Sequence, residues 1–296
     1  MFSFSTLWYF SSDLPDYKIL SNYKPPISSR VHSGDGQLIA EHALQKRLFI
    51  PYDSIPKKVI YSFLSAEDKN FFSHPGVDAK SVTRAIIKNV KNIFSTKRLE
   101  GASTITQQVA KNFLLTNEVS VKRKIKEAIL AFRIERAYSK ERIMELYLNQ
   151  IYLGEGTYGV AAASLEYFDK SVRDLDYDEA ALLAALPRAP SKYNPYKSKK
   201  RATIRRNFVL KNLYENSYIN KAEYEDFKKK EIKTKKRKIK LLEDANFYSE
   251  EVRRIVSDTY GYDDLYTGGL SIRTPLNSQY QIEALKALRE GLEQYD

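Results

Sequence analysis

Two adjacent carboxylates, Glu67 and Asp68, open the first stretch able to do chemistry, and Phe71, Phe72, His74, Pro75, Gly76 and Asp78 follow by position 78. A carboxylate beside apolar rings has its charged form disfavoured, so its pKa rises and it can act as an acid or base near neutral pH. The same residues also suit a helix end with an exposed acidic pair and a turn. A second stretch, residues 101–112, reads Gly-Ala-Ser-Thr-Ile-Thr-Gln-Gln-Val-Ala-Lys-Asn. Its small hydroxyl residues lead into a helix start, whose free N–H groups and dipole suit a phosphate. Lys111, two turns in, adds a charge. The Gly-Lys-Ser/Thr ending of a Walker loop is absent, and a plain Ser/Thr-capped helix fits as well.

Three further stretches follow. Arg123, Lys124 and Glu127 share one helical face by their spacing of three and four. They suit a cationic pair for a pyrophosphate, tuned by a carboxylate, or a surface salt bridge. Residues 145–163 run from Glu145 through Asn149, Tyr152, Gly154, Gly156, Tyr158 and Gly159 into three alanines. The tyrosines suit the lining of a sugar cleft, and the small residues suit a close-packed helix–turn–helix. Leu186 to Pro195 carries three prolines and reads as a rigid loop without evident chemistry.

The elements that must position these groups are mainly helical. Arg30-Val31 and Leu38-Ile39 flank a Ser-Gly-Asp-Gly turn, which predicts a hairpin. Ser81 is expected to cap a helix running through Val82, Ile86, Val90 and Ile93. Thr104 and Gln107 have capping-box spacing. Ser120 and Ser139 are expected to open the next two helices. Further helices are expected over Asp178–Leu186, Arg201–Tyr214 and Lys221–Lys230. Thr234 to Lys240 reads as a charged linker or exposed strand. Leu270 and Ile272 alternate as a strand, and Asn277 is placed to cap a last helix.

Composition narrows the classes. The chain has 296 residues and 43% hydrophobic content, enough for one large or two smaller domains. There is no cysteine, which excludes disulfides, thiolate catalysis and cysteine-ligated zinc. With three histidines, a three-histidine metal site is not expected. The net charge of +12 sits in one place: between Lys197 and Lys240 stand 17 Lys or Arg against 5 Asp or Glu. Such a segment attracts nucleic acid or anionic lipid, or is simply a solvated charged face. No stretch has the roughly 20 apolar residues that a membrane span needs. Met1 to Phe10 is too short and lacks a basic leader, so it reads as the end of a spanning helix rather than a signal peptide.

Taken together, in this order, the motifs resemble the peptidoglycan glycosyltransferases. That family's signatures match at Glu67–Asp78, Gly101–Gln108, Arg123–Glu127 and Tyr147–Gly159, and the resemblance spans about residues 14–296. The flanks at 22–40, 247–254 and 268–270 look like those of class A penicillin-binding proteins. The resemblance implies a mainly α, lysozyme-like helical domain with a small β-containing N-terminal segment and an α+β C-terminal linker region. It implies a juxtamembrane segment over 1–45, the glycosyltransferase domain over 46–230, and a linker over 231–296 leading towards an absent transpeptidase domain. The transpeptidase motifs Ser-x-x-Lys, Ser-Asp/Tyr-Asn and Lys-Thr-Gly have no credible counterpart, so no transpeptidase activity is expected.

The activity so implied is inverting transfer on lipid II, with Glu67 as general base and undecaprenyl pyrophosphate as leaving group. Glu127 is carried over as a second catalytic residue that orients the cations or holds a metal. Asp68, Ser103, Thr104, Gln107, Gln108, Lys111, Arg123, Lys124, Asn149 and Tyr158 are carried over as substrate-binding. A divalent cation, Mg or Mn, is an expected helper, and no organic cofactor is expected. Expected partners are lipid II, the growing glycan strand, the membrane surface and other cell-wall synthesis proteins, but not nucleic acid. The expected location is the outer, periplasmic face of a bacterial cytoplasmic membrane. One departure is Val119, where many relatives carry a basic residue; it bears on pyrophosphate affinity. Residues 85–98, apolar with interleaved Lys and Arg, suit either a dip into lipid headgroups or an amphipathic helix on the core. Two other readings remain at this stage: a lysozyme-like glycosidase with Glu67 as acid, and a basic nucleic-acid-binding protein without a recognisable motif.

Overall fold

The computed structural model describes residues 14–21, 23, 25–84, 103–116, 118, 120–236, 242 and 245–295. The readings made for Met1–Phe10, for 85–98, for Val119 and for the end of the charged linker lie outside these residues. The chain divides into two compact units: 1–23 with 49–236, and 24–48 with 237–296.

The first unit is helical. Helix α1 (Lys57–Glu67) buries Val59, Ile60, Phe63 and Leu64 along one face. Helices α2 (Ile105–Leu114), α3 (Val121–Ala137) and α4 (Lys140–Gln150) follow. A short hairpin of Tyr152–Gly154 and Thr157–Tyr158 leads to α5 (Val160–Phe168) and α6 (Tyr177–Ala185). Then come α7 (Lys199–Glu215) and α8 (Lys221–Lys229). α1 packs against both α6 and α7, and α2 packs against α3 and α4. The alanines of α6, buried at 180, 181, 184 and 185, let these neighbours approach closely.

The helix starts follow local chemistry. Thr104 forms the capping box with Gln107, and Ser120 and Ser139 each accept an N–H of the first turn. Asp176, with Glu179, caps α6. The helix that begins at residue 79 is capped differently from expectation. Asp78, not Ser81, accepts at its start: the Ser81 N–H donates to Asp78 Oδ1 at 3.1 Å and the Ser81 hydroxyl to Oδ2 at 2.6 Å. Asp is as good a cap as Ser and sits three residues earlier, immediately before the first helical residue.

The second unit joins segments far apart in sequence. β1 (Ser29–His32) and β2 (Leu38–His42) form the expected hairpin, with Val31 opposite Ala40. Its turn closes through Gly36 N–H to Ser33 C=O at 3.0 Å, with Gly36 at φ +88°, a conformation glycine adopts without strain. β3 (Ser271–Arg273) adds in parallel on the other side of β1, Val31 facing Ile272. Helices α9 (Asn246–Tyr260), α10 (Tyr262–Thr267) and α11 (Ser278–Tyr295) complete the unit. A small core of Val31, Ile39, Leu242 and Ala245 holds it. The N-terminal strands and the C-terminal segment, which the sequence suggests as separate flanks, are thus one unit.

Candidate active site

Glu67 is the last residue of α1. The helix stops there because Asp68 turns to φ −159°, ψ 79°. The Glu67 carboxylate accepts a hydrogen bond from Gln108 Nε2 on α2 at 2.9 Å. It looks onto a cavity of about 440 Å³ whose walls include Ser103, Arg188, Arg205, Phe208 and Asn212. Burial pushes its pKa up; the Gln108 bond and the charges of Arg205 and Arg188 work against that rise, and Asp68 adds to it. A carboxyl so placed titrates above an ordinary glutamate and can receive a proton. Beneath it the Tyr147 hydroxyl is buried without a hydrogen-bond partner among the described residues. Burial, then the Glu67 and Asp68 charges, hold that phenol well above its ordinary pKa, so it stays neutral.

Asp68, expected to bind substrate, lies on the cavity wall, but its oxygens serve as a tether. It is 7% exposed, and its oxygens are occupied by His74 Nε2 at 3.0 Å and by the Ile105 N–H at 3.0 Å. His74 Nδ1 accepts from the Gly76 N–H at 3.1 Å, so the ring proton sits on Nε2 and is donated to Asp68. The anion lies at the α2 N-terminus, where the helix dipole favours it. Thr104 and Gln107 are also corrected: Thr104 Oγ1 donates to Gly76 C=O at 2.6 Å and caps α2, and Gln107 closes the capping box. Both are buried. Asp68 and Thr104 lie on the cavity wall, and the bonds of all three side chains fix Gln108, and hence Glu67. Gly76 is required here: at φ +103°, an added Cβ would lie 2.8 Å from the Ala131 backbone of α3.

The first turns of α3 supply the cations. Lys124 Nζ donates to Ser103 Oγ at 2.7 Å and to Glu127 Oε2 at 2.6 Å, while Arg123 pairs with the other Glu127 oxygen. Glu127 is 2% exposed, whereas the Lys124 side chain is 48% exposed. The buried carboxylate therefore aims two cations, one of them reaching Ser103 on the cavity wall. The donor set does not fit a divalent ion. Both Glu127 oxygens already face cations, and among the described residues no three His, Asp or Glu side chains converge. We derive no step through a metal.

The remaining expectations divide. Ser103 and Gln108 stand at the site. Lys111 is partly exposed on α2 but is not on the cavity wall. Asn149 is a correction: it is 4% exposed, and its amide bonds both backbone groups of Ile50, at 2.9 and 2.8 Å. Tyr158 packs its ring 5.0 Å from that of Tyr152, away from the cavity wall. Sequence reasoning missed Arg188, in the proline loop judged chemically silent, and Arg205, which was counted within the basic segment. Arg205 is 9% exposed and lies on a stripe with Ala202, Val209 and Leu213. Its neighbour Arg206 is buried too, donating to the Lys228 and Lys230 carbonyls. A cation at an apolar-stripe position was the available signal.

Comparisons with known proteins bear on this arrangement. A family profile described as transglycosylase matches residues 35–214. The chain belongs to the transglycosylase family. It is 47% identical over 291 residues to penicillin-binding protein 1A of Rickettsia felis, covering 98% of this chain and 37% of that protein. It is 46% identical over 281 residues to penicillin-binding protein 1A of Aquifex aeolicus, covering 95% and 38%. A crystal structure of penicillin-binding protein 1A from Haemophilus influenzae aligns with TM-score 0.56 and 28% identity, over 93% of this chain and 30% of that one. The chain thus spans little more than a third of the curated relatives it matches. Its mainly helical first unit fits the lysozyme-like fold implied by the motifs.

Proposed function

We propose that this transglycosylase polymerises lipid II into glycan strands with inversion at the anomeric carbon. Glu67 takes the proton from the acceptor sugar's 4-hydroxyl. That oxygen bonds to the anomeric carbon of the growing strand, and the bond from that carbon to undecaprenyl pyrophosphate breaks, its electron pair leaving with the phosphate. Arg123 and Lys124, aimed by Glu127, offset the charge gathering on the leaving group. A base and a leaving-group clamp on separate walls suit an inverting path. The observation that carries the reading is the shared cavity: its wall holds both Glu67 and Ser103, and Ser103 is bonded to Lys124. Among the described residues no helix is long and apolar enough to cross a membrane. We place the site at the outer face of a bacterial cytoplasmic membrane, because the proposed substrate carries a membrane-bound lipid.

The test is lipid II polymerisation by the wild type and by Glu67→Gln, with thermal melting as a folding control. The wild type lengthens lipid II and leaves finished glycan intact, and the variant loses nearly all turnover, at least ~100-fold, as for a lost general base. Cleavage of finished glycan would instead mark a glycosidase with Glu67 as acid.

A further inference from the structure

One face of α7 lines the cavity, and the chemistry above uses only the charge of Arg205 on Glu67. Arg205, Phe208, Asn212, Glu215 and Asn216 all stand on the cavity wall, spaced along one stripe of the helix. Arg205 lies over the Phe208 ring, its guanidinium carbon 4.6 Å from the centroid, which fixes the plane of its fork. It is 9% exposed, and its Nε is buried without a hydrogen-bond partner. Burial lowers the Arg205 pKa, the Glu67 carboxylate works against that fall, and the charge of Arg188, exposed on the same wall, adds to it. Two guanidinium groups therefore share one wall of the cavity with the Glu67 carboxylate.

Further along the stripe the chemistry changes from donor to acceptor. Asn212 and Asn216 turn their amide NH2 groups inward, to Ser65 C=O at 2.8 Å and Ser65 Oγ at 3.1 Å. This leaves their amide oxygens as acceptors. A planar, paired donor followed by amide acceptors matches a peptide: a carboxylate for the arginines and N–H groups for the asparagines. A phosphate would use the first and leave the second unmatched.

We propose that this face of α7, with Arg188, is a subsite for a peptide substituent carried by the acceptor disaccharide, its carboxylate held between Arg188 and Arg205. The inference rests on the polymerase reading, because it makes the occupant part of the acceptor that Glu67 deprotonates. Its role is selection and alignment. An acceptor without the anion binds more weakly and is presented less often to the base.

The experiment uses the full chain with two arms. In the turnover arm, lipid II and a derivative with its peptide carboxylates converted to amides are compared on the wild type, Arg188→Gln and Arg205→Gln. Losing a charged hydrogen-bonded pair is expected to raise KM about tenfold for the amidated substrate on the wild type. Arg188→Gln raises KM as much for the parent substrate, with no further rise on amidation. Arg205→Gln behaves alike where it folds; Arg188, being exposed, keeps the test valid where it does not. In the binding arm, N-acetyl-diglycine and its carboxamide are titrated into the chain. The acid binds about tenfold tighter than the amide, and Arg188→Gln removes the difference.

Equal KM for the two substrates on the wild type overturns the subsite. So does an Arg188→Gln penalty that adds to amidation, or that tracks removal of the pyrophosphate charge. A loss confined to kcat with a shifted acid limb also overturns it, since the arginines would then act through Glu67 alone. If the wild type polymerises nothing yet discriminates the two glycine probes, the polymerase reading fails while the carboxylate site stands. Equal binding of the probes sinks the site even where polymerisation proceeds.

Discussion

Glu67 carries a tension between stability and reaction. Burial raises its pKa above the ordinary 4.5, so its ionised form costs the folded state free energy once the pH exceeds that raised value. The acid limb of the rate profile is therefore expected above pH 4.5, because the base must be ionised. For the same reason Glu67→Gln should melt higher than wild type at pH 7, at about 2–4 °C per kcal/mol relieved. The gap should close as the pH falls and the wild-type carboxyl takes up its proton. A variant that melts lower at pH 7, or a gap that widens in acid, would refute this account. Glu127 behaves oppositely. Glu127→Gln leaves Arg123 and Lys124 without their anion, and a loss of about 1–3 kcal/mol, trimmed by the exposure of Lys124, should appear in melting together with reduced turnover.

The motifs were legible at this scale as a set, but the work of each residue was not. Glu67, Gln108, Ser103 and Lys124 meet because their helices meet. Asp68, Thr104 and Asn149 sit in the same motifs, yet their polar atoms hold backbone in place. A motif records which side chains a site needs and does not separate those that face the ligand from those that hold them. Arg205 shows the converse, a cavity-wall cation hidden in a basic segment because charge counting ignores the face on which a charge falls.

Among the elements, capping chemistry was the most readable layer. Thr104, Ser120 and Ser139 cap where their spacing says they should, because an N-cap depends on a few neighbouring residues. The Asp78 cap was missed because Ser81 offered an equally good local signal, and local signals alone could not rank the two. That cap titrates. Burial opposes its charge, but the Ser81 and Asn70 hydrogen bonds win and lower Asp78 to about 2 from 3.8. Its contribution to stability is present above pH 3.8 and fades as the pH falls towards 2. Asp78→Asn should flatten acid melting between these values, and an unchanged acid profile would remove the cap from that role. The passage between α1 and α2 leans on α3 through Gly76. Gly76→Ala forces backbone apart and adds strain at positive φ, so a loss of at least ~1–3 kcal/mol is expected, with turnover falling further than stability because the Asp68 tether shifts.

For the molecule as a whole, each of the two units has its own buried cluster. Val31→Asp would bury an unpaired charge in the smaller one, at a cost of several kcal/mol. Hydrogen exchange should then show β1, β2 and α9 opening while α1, α6 and α7 stay protected. Loss of protection in both at once would mean that they fold as one. The second unit's make-up was beyond sequence reasoning, since the partner of β1 lies at the far end of the chain and strand alternation carries no address.

That address has a consequence for biosynthesis. The Leu270 N–H donates to Ser29 Oγ, a partner 241 positions earlier. A ribosome releasing this chain from its N-terminus delivers the hairpin long before the strand that flanks it. The early hairpin must wait, with an open edge, while the helices between are made and settle. Nascent chains arrested before position 270 should therefore resist protease within α1 and over 120–236 but be clipped within 24–48, and extension past α11 should close that window.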